Sequence, residues 1–419
     1  MAPEGRAHGN GRMTRPVAVL LSPVWPQPGG SGRALRAWDW MQELAAGHEL
    51  HVWSPQAPAA TDWPPGVHCW AGGADLRPAA PWARRLGWLV PALGARWPAL
   101  VAHWQVPREQ AQALSAMAAA IGDRPVARLV VFRLYLHGVA EWLRARLHVQ
   151  RAELDLDDWD SAAMGSTAGA LWRMGRPLDA MLAWRESLQY RALERRIPAG
   201  YRTCWLAAHE DRPAFPAAAV RPNRLPSPSP FPSPAGTGAR APQGLHMLFV
   251  GSLDYPPNQE AALLLAGRLA PLLRERLPRP WSLTVAGARP PAWLRLRLEA
   301  AGEVRLRADV PDLSPLYAGC TVALLPVMAG GGSKLKTLEA LARGLPMVAT
   351  SQAVRGFPLV AGEQYLPAET PEQFAQAVLR LHADPALRER LGAAGRAWYE
   401  AFRETGGAGA DAGLHGRAG

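Results

Sequence analysis

With 419 residues, 48% of them hydrophobic and 19% charged, the chain is long enough for two domains with separate cores and too apolar for wholesale disorder. The formal charge of +11 asks for an acidic partner, but no nucleic-acid motif accompanies it and arginine is spread along the whole chain. Nucleic acid is therefore excluded as the expected partner, and an anionic membrane surface is the functional reading set against a plain bias toward Arg, Ala and Pro. Cys69, Cys204 and Cys320 are too widely spaced to form a ligand cluster, which fits a reducing compartment and excludes structural zinc.

Residues 1–15 carry charge and glycine without an apolar h-region, so they read as a disordered N-terminus and not a secretory signal. No uninterrupted apolar run reaches membrane-spanning length, and the expectation is a cytoplasmic protein, peripheral at most at the inner face of a membrane. Val17 to Ser22 reads as a strand, and the turn at Gly29, Gly30 and Gly32 leads into a helix whose Leu35, Trp38, Met41 and Leu44 share one face. A second strand follows over Leu50 to Trp53. This βαβ opening puts a glycine loop at the carboxyl end of the first strand, where open α/β sheets bind ligands.

Residues 81–106 mix Trp82, Trp88, Trp97 and Trp104 with Arg84, Arg85 and Arg96, which fits either an interfacial helix or an amphipathic helix packed on the sheet. Val130 to Leu134 reads as a strand that delivers His137 toward the cleft side of the sheet. The strand beginning at Ala152 ends in acids, and Asp155 and Asp157 form a D-x-D pattern. We read no metal there, because a glycine-loop helix further on already supplies phosphate electrostatics; Asp157 and Asp158 instead face an acceptor or cap the next helix. A helix over 178–197 and a strand over Arg202 to Ala207 complete a first domain spanning 16–220. Residues 221–244 are rich in Pro, Ser and Gly and read as a linker.

The second domain, 245–405, opens with a strand from Met247 to Val250 that runs into Gly251, Ser252 and Asp254, with Asn258 starting a helix through Leu277. Gly287 ends the next strand, and Asp312 caps a short helix. Val322 to Leu325 is strand-like and ends at Pro326; Gly330, Gly331 and Gly332 then let bare backbone approach a ligand. Ser333 reads as an N-cap, and Leu335, Leu338, Leu341 and Ala342 recur at helical spacing until Gly344. A helix start of this kind attracts phosphate, which makes sense of Lys334 and Lys336 placed there, while Glu339 reaches toward a ribose. The alternative is an ordinary strand-to-helix loop with surface lysines and a solvated glutamate. Residues 399–404 read as a helix returning to the first domain, and the tail from Gly406 as disordered.

LFVGSLDYPPN from Leu248, the strand ending at Gly287, and GGGSKLKTLEA from Gly330 together resemble the carboxy-terminal half of glycosyltransferase family 4, over about residues 245–402. The branch most similar carries FVGSxDYxPN and GGGxxLKxLEA and is associated with exopolysaccharide assembly. The resemblance implies an α/β GT-B fold, two Rossmann-like domains facing a cleft, and retaining, metal-independent transfer from a nucleotide-diphosphate sugar to a glycan or lipid-linked acceptor, with no further cofactor. It implies donor contacts from Gly30, Arg33, Gly251, Ser252, Asn258, Gly287, the backbone at Val310, and the loop Gly330, Gly331, Gly332, Ser333 and Leu335. Lys334, Lys336, Glu339 and His137 would be the catalytic group. One departure stands out: many members carry two glutamates eight positions apart, and the first would fall on Gly331. The rival reading is a catalytically idle, nucleotide-sugar-binding subunit of a polysaccharide assembly; a NAD enzyme is disfavoured, since no G-x-G-x-x-G with a following acid occurs.

Overall fold

The computed structural model describes residues 15–55, 63–72, 108–225, 244–331 and 334–405. The proposed interfacial segment 81–106, the N-terminal 1–14, the tail from 406, most of the linker (226–243) and Gly332 and Ser333 lie outside them.

The first domain is built on seven parallel strands in the order β3-β2-β1-β4-β5-β6-β7. They are β1 (Val17–Leu21), β2 (Glu49–Ser54), β3 (Val67–Ala71), β4 (Val126–Phe132), β5 (Ala152–Asp157), β6 (Thr203–Leu206) and β7 (Ala219–Val220). Because parallel strands are covered on both faces, they read as apolar runs; VAVLL of β1 is buried throughout. Its Val17, Val19 and Leu21 join one core cluster while Ala18 and Leu20 join another on the opposite face, as the two-residue period requires. The covering helices are α1 (Gly32–Gly47), α2 (Arg108–Ile121), α3 (His137–Arg144), α4 (Asp160–Arg173) and α5 (Pro177–Glu194).

The second domain repeats the plan with six parallel strands, β10-β9-β8-β11-β12-β13. These are β8 (Leu245–Val250), β9 (Trp281–Gly287), β10 (Val304–Ala308), β11 (Val322–Leu325), β12 (Met347–Ala349) and β13 (Leu366–Pro367). Its helices are α6 (Pro256–Leu264), continued through a π segment into α7 (Ala270–Arg276), α8 (Ala292–Ala300), α9 (Ser314–Ala318), α10 (Leu335–Ala342), α11 (Ser351–Val354), α12 (Pro371–Ala383) and α13 (Pro385–Glu404). In each sheet the strand order reverses beside the first strand, between β1 and β4 and between β8 and β11. Such a switch point opens a crevice at the carboxyl ends of the strands. The loop carrying Gly29, Gly30 and Gly32 follows β1, and the loop carrying Gly330 and Gly331 follows β11, so both glycine loops stand at switch points.

Residues 221–225, the start of the linker, pass from one domain to the other: Arg221 lies 3.7 Å over the Trp40 ring in the first domain, while Leu225 is buried in the core of the second. Three expectations change. Residues 399–404 do not cross back, because Tyr399 and Phe402 are buried in the second domain's core and Trp398 and Phe402 pack with Phe357. Neither Asp157 nor Asp158 caps α4, whose N-cap position is Trp159 without a side-chain cap. Helix α10 begins one residue later than a Ser333 cap implies, with Lys334 at its N-cap. Asp312 does accept from the Ser314 amide at the start of α9, at 2.8 Å. Among the described residues no helix is long and apolar enough to cross a membrane.

Candidate active site at the seam between the domains

The start of α10 lies on the seam between the two domains. A Cβ at Gly32, in the first domain's glycine loop, would sit 2.9 Å from Leu335 Cδ1 at the first turn of α10. Gly330 has φ +103°, and its amide donates to Ser166 Oγ on α4 at 2.9 Å, while Gln352 donates to its carbonyl. A Cβ at Gly331 would lie 2.9 Å from Ala163 Cβ and 3.1 Å from Asp158. Glycine at these positions is therefore needed for close approach of the two domains. The same seam is pinned by Arg173 to Glu260, by Arg355 to Asp211 at 2.6 Å, and by the Gly356 amide to Glu210 at 3.0 Å.

Two lysines stand at the start of α10. Lys334 Nζ donates to the Gly331 carbonyl, and Lys336 Nζ donates to Asn258 Oδ1 at 2.6 Å with the ammonium 4.7 Å over the Phe249 ring. Burial lowers the Lys334 pKa to about 8, with the Asp158 charge opposing the shift. Burial and then the neighbouring Lys334 charge lower that of Lys336 to about 7. Asn258 is the bracket beneath them: its Nδ2 donates to the Ser252 carbonyl at 2.8 Å. The turn below has no spare volume, since a Cβ at Gly287 would fall 1.9 Å from the Gly251 carbonyl oxygen and one at Gly251 would strike Asn258. Ser252 Oγ donates to Asp254 at 2.7 Å and accepts from Arg289 at 3.1 Å. Val310 is half-buried just past β10, beside Asp309 with φ +53°.

Glu339 accepts from Tyr317 Oη at 2.7 Å, and Arg343 stacks 3.8 Å over the Tyr317 ring. One of its oxygens is thus committed within its own domain. Burial raises its pKa against the opposing Tyr317 hydrogen bond and Arg343 charge.

Across the seam stands an ion cluster that the sequence reading passed over. Asp155 accepts from Arg36 Nε and Nη2 at 2.7 Å each, and also from the Trp40 indole. Arg133, with φ +84°, reaches Asp157 and Asp158 at 3.1 Å each and also Asp160. Asp157 has φ +61°, so two non-glycine residues at the carboxyl ends of β4 and β5 hold left-handed backbone conformations. Four carboxylates share two guanidinium groups. Accordingly, burial raises the Asp160 pKa to about 7 despite Arg133, whereas Arg133 and Lys334 outweigh burial at Asp158 and hold it below the usual carboxylate value. Asp157 Oδ1 and Asp160 Oδ2 are buried without a hydrogen-bond partner. The D-x-D pair is thus engaged by guanidinium groups. The missed signal was Arg36 and Arg133, the two buried arginines that pair with the acids at the end of β5.

Arg33 is exposed on the first turn of α1, near enough to Asp158 and Asp160 to favour their charged forms. Gly30, with φ +92°, shapes the loop before it. His137 starts α3 and pairs its Nδ1 with Tyr201 Oη at 2.9 Å, edge-on to the same ring, so its contacts lie within the first domain.

Among the described residues, Glu49, His51 and His68 have the make-up of a metal site, with ligating atoms within 4.8 Å of one another. They lie at the amino ends of β2 and β3, away from the seam. The Trp70 indole donates to His51 Nδ1 at 3.1 Å, which leaves the ring proton on Nε2 facing Glu49, and Arg124 takes both Glu49 oxygens at 2.7 and 3.0 Å. Burial and His68 lower the His51 pKa to about 4, so the ring is neutral and the group is satisfied by its own hydrogen bonds.

Comparison with known proteins accords with this geometry. The chain is similar in fold to sucrose-phosphate synthase from Thermosynechococcus elongatus, with TM-score 0.61 at 16% identity over 94% of this chain and 96% of that one. It is also similar to HepE from Anabaena in complex with UDP and glucose (0.55, 12%, 94% and 100%) and to WaaG, a glycosyltransferase involved in lipopolysaccharide biosynthesis (0.57, 15%, 96% and 100%). No curated protein matches the sequence. Residues 244–384 match the family model for glycosyl transferases group 1, and the two-domain α/β architecture around them is that of the GT-B glycosyltransferases.

Proposed function

We propose that this chain is a retaining, metal-independent glycosyltransferase of family 4, in the exopolysaccharide-type branch. It moves a sugar from a nucleotide-diphosphate donor to a glycan or lipid-linked acceptor. The observation that carries the reading is the start of α10, with Lys334 and Lys336 beside a glycine loop on the seam and facing the glycine loop of the other domain.

Breaking the donor's glycosidic bond builds negative charge on the leaving diphosphate, and fixed positive groups there lower the barrier. Lys334, Lys336 and the amides at the head of α10 supply them. The diphosphate also restores the charge that burial costs the two lysines. In its absence Asp158 fills part of that role, since its charge favours protonated Lys334. Asp158 also brings a carboxylate, from the opposite domain, to the face of Gly331 where the family pattern places a glutamate. It contacts the transferred sugar in this reading. Asp157 Oδ1, 3.5 Å from Arg36 Nε, and Asp160 Oδ2 accept from acceptor hydroxyls in this reading, and Arg33 closes the donor from the first domain's side on the loop that Gly30 shapes. Glu339, set by Tyr317, holds the ribose, and Gly251, Ser252, Gly287 and Val310 shape the base and ribose wall. His137 stays in the proposal as a contact to the sugar once Tyr201 releases it. The departing phosphate accepts the acceptor's proton, so no protein nucleophile is required.

The test is release of nucleotide diphosphate from a panel of sugar nucleotides, with and without glycan acceptors, and with product anomers read by NMR. Donor binding without turnover across the panel would instead identify an idle nucleotide-sugar-binding subunit.

A further inference from the structure

We propose that the outer face of α5, with the end of α4, docks on an anionic lipid bilayer surface. The inference stands on that surface alone and does not depend on the transfer reaction. Leu178, Met181, Leu182 and Leu188 recur at helical spacing on α5 and are 70, 44, 49 and 44% exposed, with Trp184 at 57% beside them and Trp172 at 68% on the end of α4. Monomeric proteins seldom leave so large an apolar face to water. Across the seam Trp293 and the exposed Leu296 of α8 adjoin it, because the Arg176 guanidinium lies 5.7 Å from the Trp293 ring.

Charge chooses the occupant. Six arginines and three acids lie between Trp172 and Arg196. The acids turn inward or are paired: Glu194 accepts from the Ser161 amide and hydroxyl, Asp179 is held by Arg176 at 2.8 Å, and Glu186 is half-buried. Arg191, Arg195 and Arg196 stay exposed. A second copy of this face would set arginine against arginine, in a chain already at +11. A bilayer with anionic headgroups offers hydrocarbon to Leu, Met and Trp and phosphate to arginine within the width of one helix. Tryptophan at headgroup level completes the match.

The intact protein is mixed with neutral phosphatidylcholine vesicles and with vesicles containing about a third anionic phosphatidylglycerol, and the bound fraction is read by flotation. Expected is binding to the anionic vesicles that weakens with salt and falls about tenfold or more in Trp184→Glu/Leu188→Glu. Arg191→Gln/Arg195→Gln should lose about tenfold of the anionic preference, with melting temperature and donor turnover unchanged in both variants. Equal binding to neutral vesicles, or unchanged binding by both variants, overturns the proposal. So does a lipid-free dimer, seen by light scattering, that Trp184→Glu/Leu188→Glu splits, because the face then belongs to a second copy.

Discussion

The two domains share a strand order and differ in the charge at their switch points. At the carboxyl ends of β4 and β5 the first domain gathers Asp155, Asp157, Asp158 and Asp160 around Arg36 and Arg133, an anionic cluster locked by buried ion pairs. At the carboxyl end of β11 the second domain offers glycine backbone and two lysines whose ammonium groups bond to a carbonyl and an amide oxygen of that same domain. One topology has thus been given opposite electrostatics. The cationic half suits a diphosphate, the anionic half suits hydroxyl groups, and Asp158 opposite Gly331 is where they meet.

The largest effect expected from breaking this contrast is on the anionic side and on folding. Asp155→Ala would leave Arg36 buried without its bidentate partner, a loss of about 3–5 kcal/mol in denaturant unfolding. The cationic counterpart, Lys334→Ala, should leave the fold intact and reduce turnover about 10²- to 10³-fold, read as released nucleotide diphosphate. A Lys334→Ala enzyme with wild-type turnover would remove the phosphate site from α10.

Asp158→Asn sharpens the comparison by splitting binding from chemistry. With the competing carboxylate gone, nucleoside diphosphate should bind a few-fold more tightly while turnover falls about tenfold. Parallel losses in both would mean that Asp158 only supports the fold of the cleft.

Acidity probes the other half. Lys336 and Lys334 titrate at about 7 and about 8, and bound diphosphate favours their charged forms. Both are charged below pH 7, so donor affinity is greatest there. Above that, binding must restore a proton to each, so affinity falls as pH rises through 7 to 8, by up to about tenfold per unit for each lysine. Calorimetry in buffers of different ionisation heat would register net proton uptake at pH 7.5; its absence would mean that the diphosphate rests elsewhere.

How much of this was legible beforehand follows the same division. The second domain's candidate site could be named from the sequence because its glycines, lysines and Glu339 lie within one continuous stretch, Gly330 to Glu339, whose spacing already shows a loop and a helix start. The first domain's cluster was not, because Arg36, Arg133 and Asp155 are distant in sequence and meet only when β1, β4 and β5 become neighbours. The strands β1 and β11 were read correctly, since runs buried on both faces need no partner to be recognised. The edge strands β3 and β7 were missed, since neither is fully buried along its length and neither reads as a continuous apolar run. The inward turn of Tyr399 and Phe402 was equally invisible, because aromatic spacing shows that a helix buries a face but not which domain receives it.

The smallest effect distinguishes the two glycine loops themselves. Gly30 and Gly330 both have left-handed backbones, at φ +92° and +103°, but a Cβ at Gly30 meets only Gln27 Oε1 at 3.8 Å, whereas one at Gly330 would lie 2.7 Å from Tyr255 Oη. Gly30→Ala therefore adds backbone strain alone, about 1 kcal/mol in thermal unfolding, and should leave donor affinity within about twofold. Gly330→Ala adds the same strain and also forces Tyr255 away, so it must disturb the seam as well as the loop. A Gly30→Ala protein that lost donor binding as completely as Gly330→Ala would place the diphosphate equally on both domains, and the assignment of cationic and anionic halves would have to be abandoned.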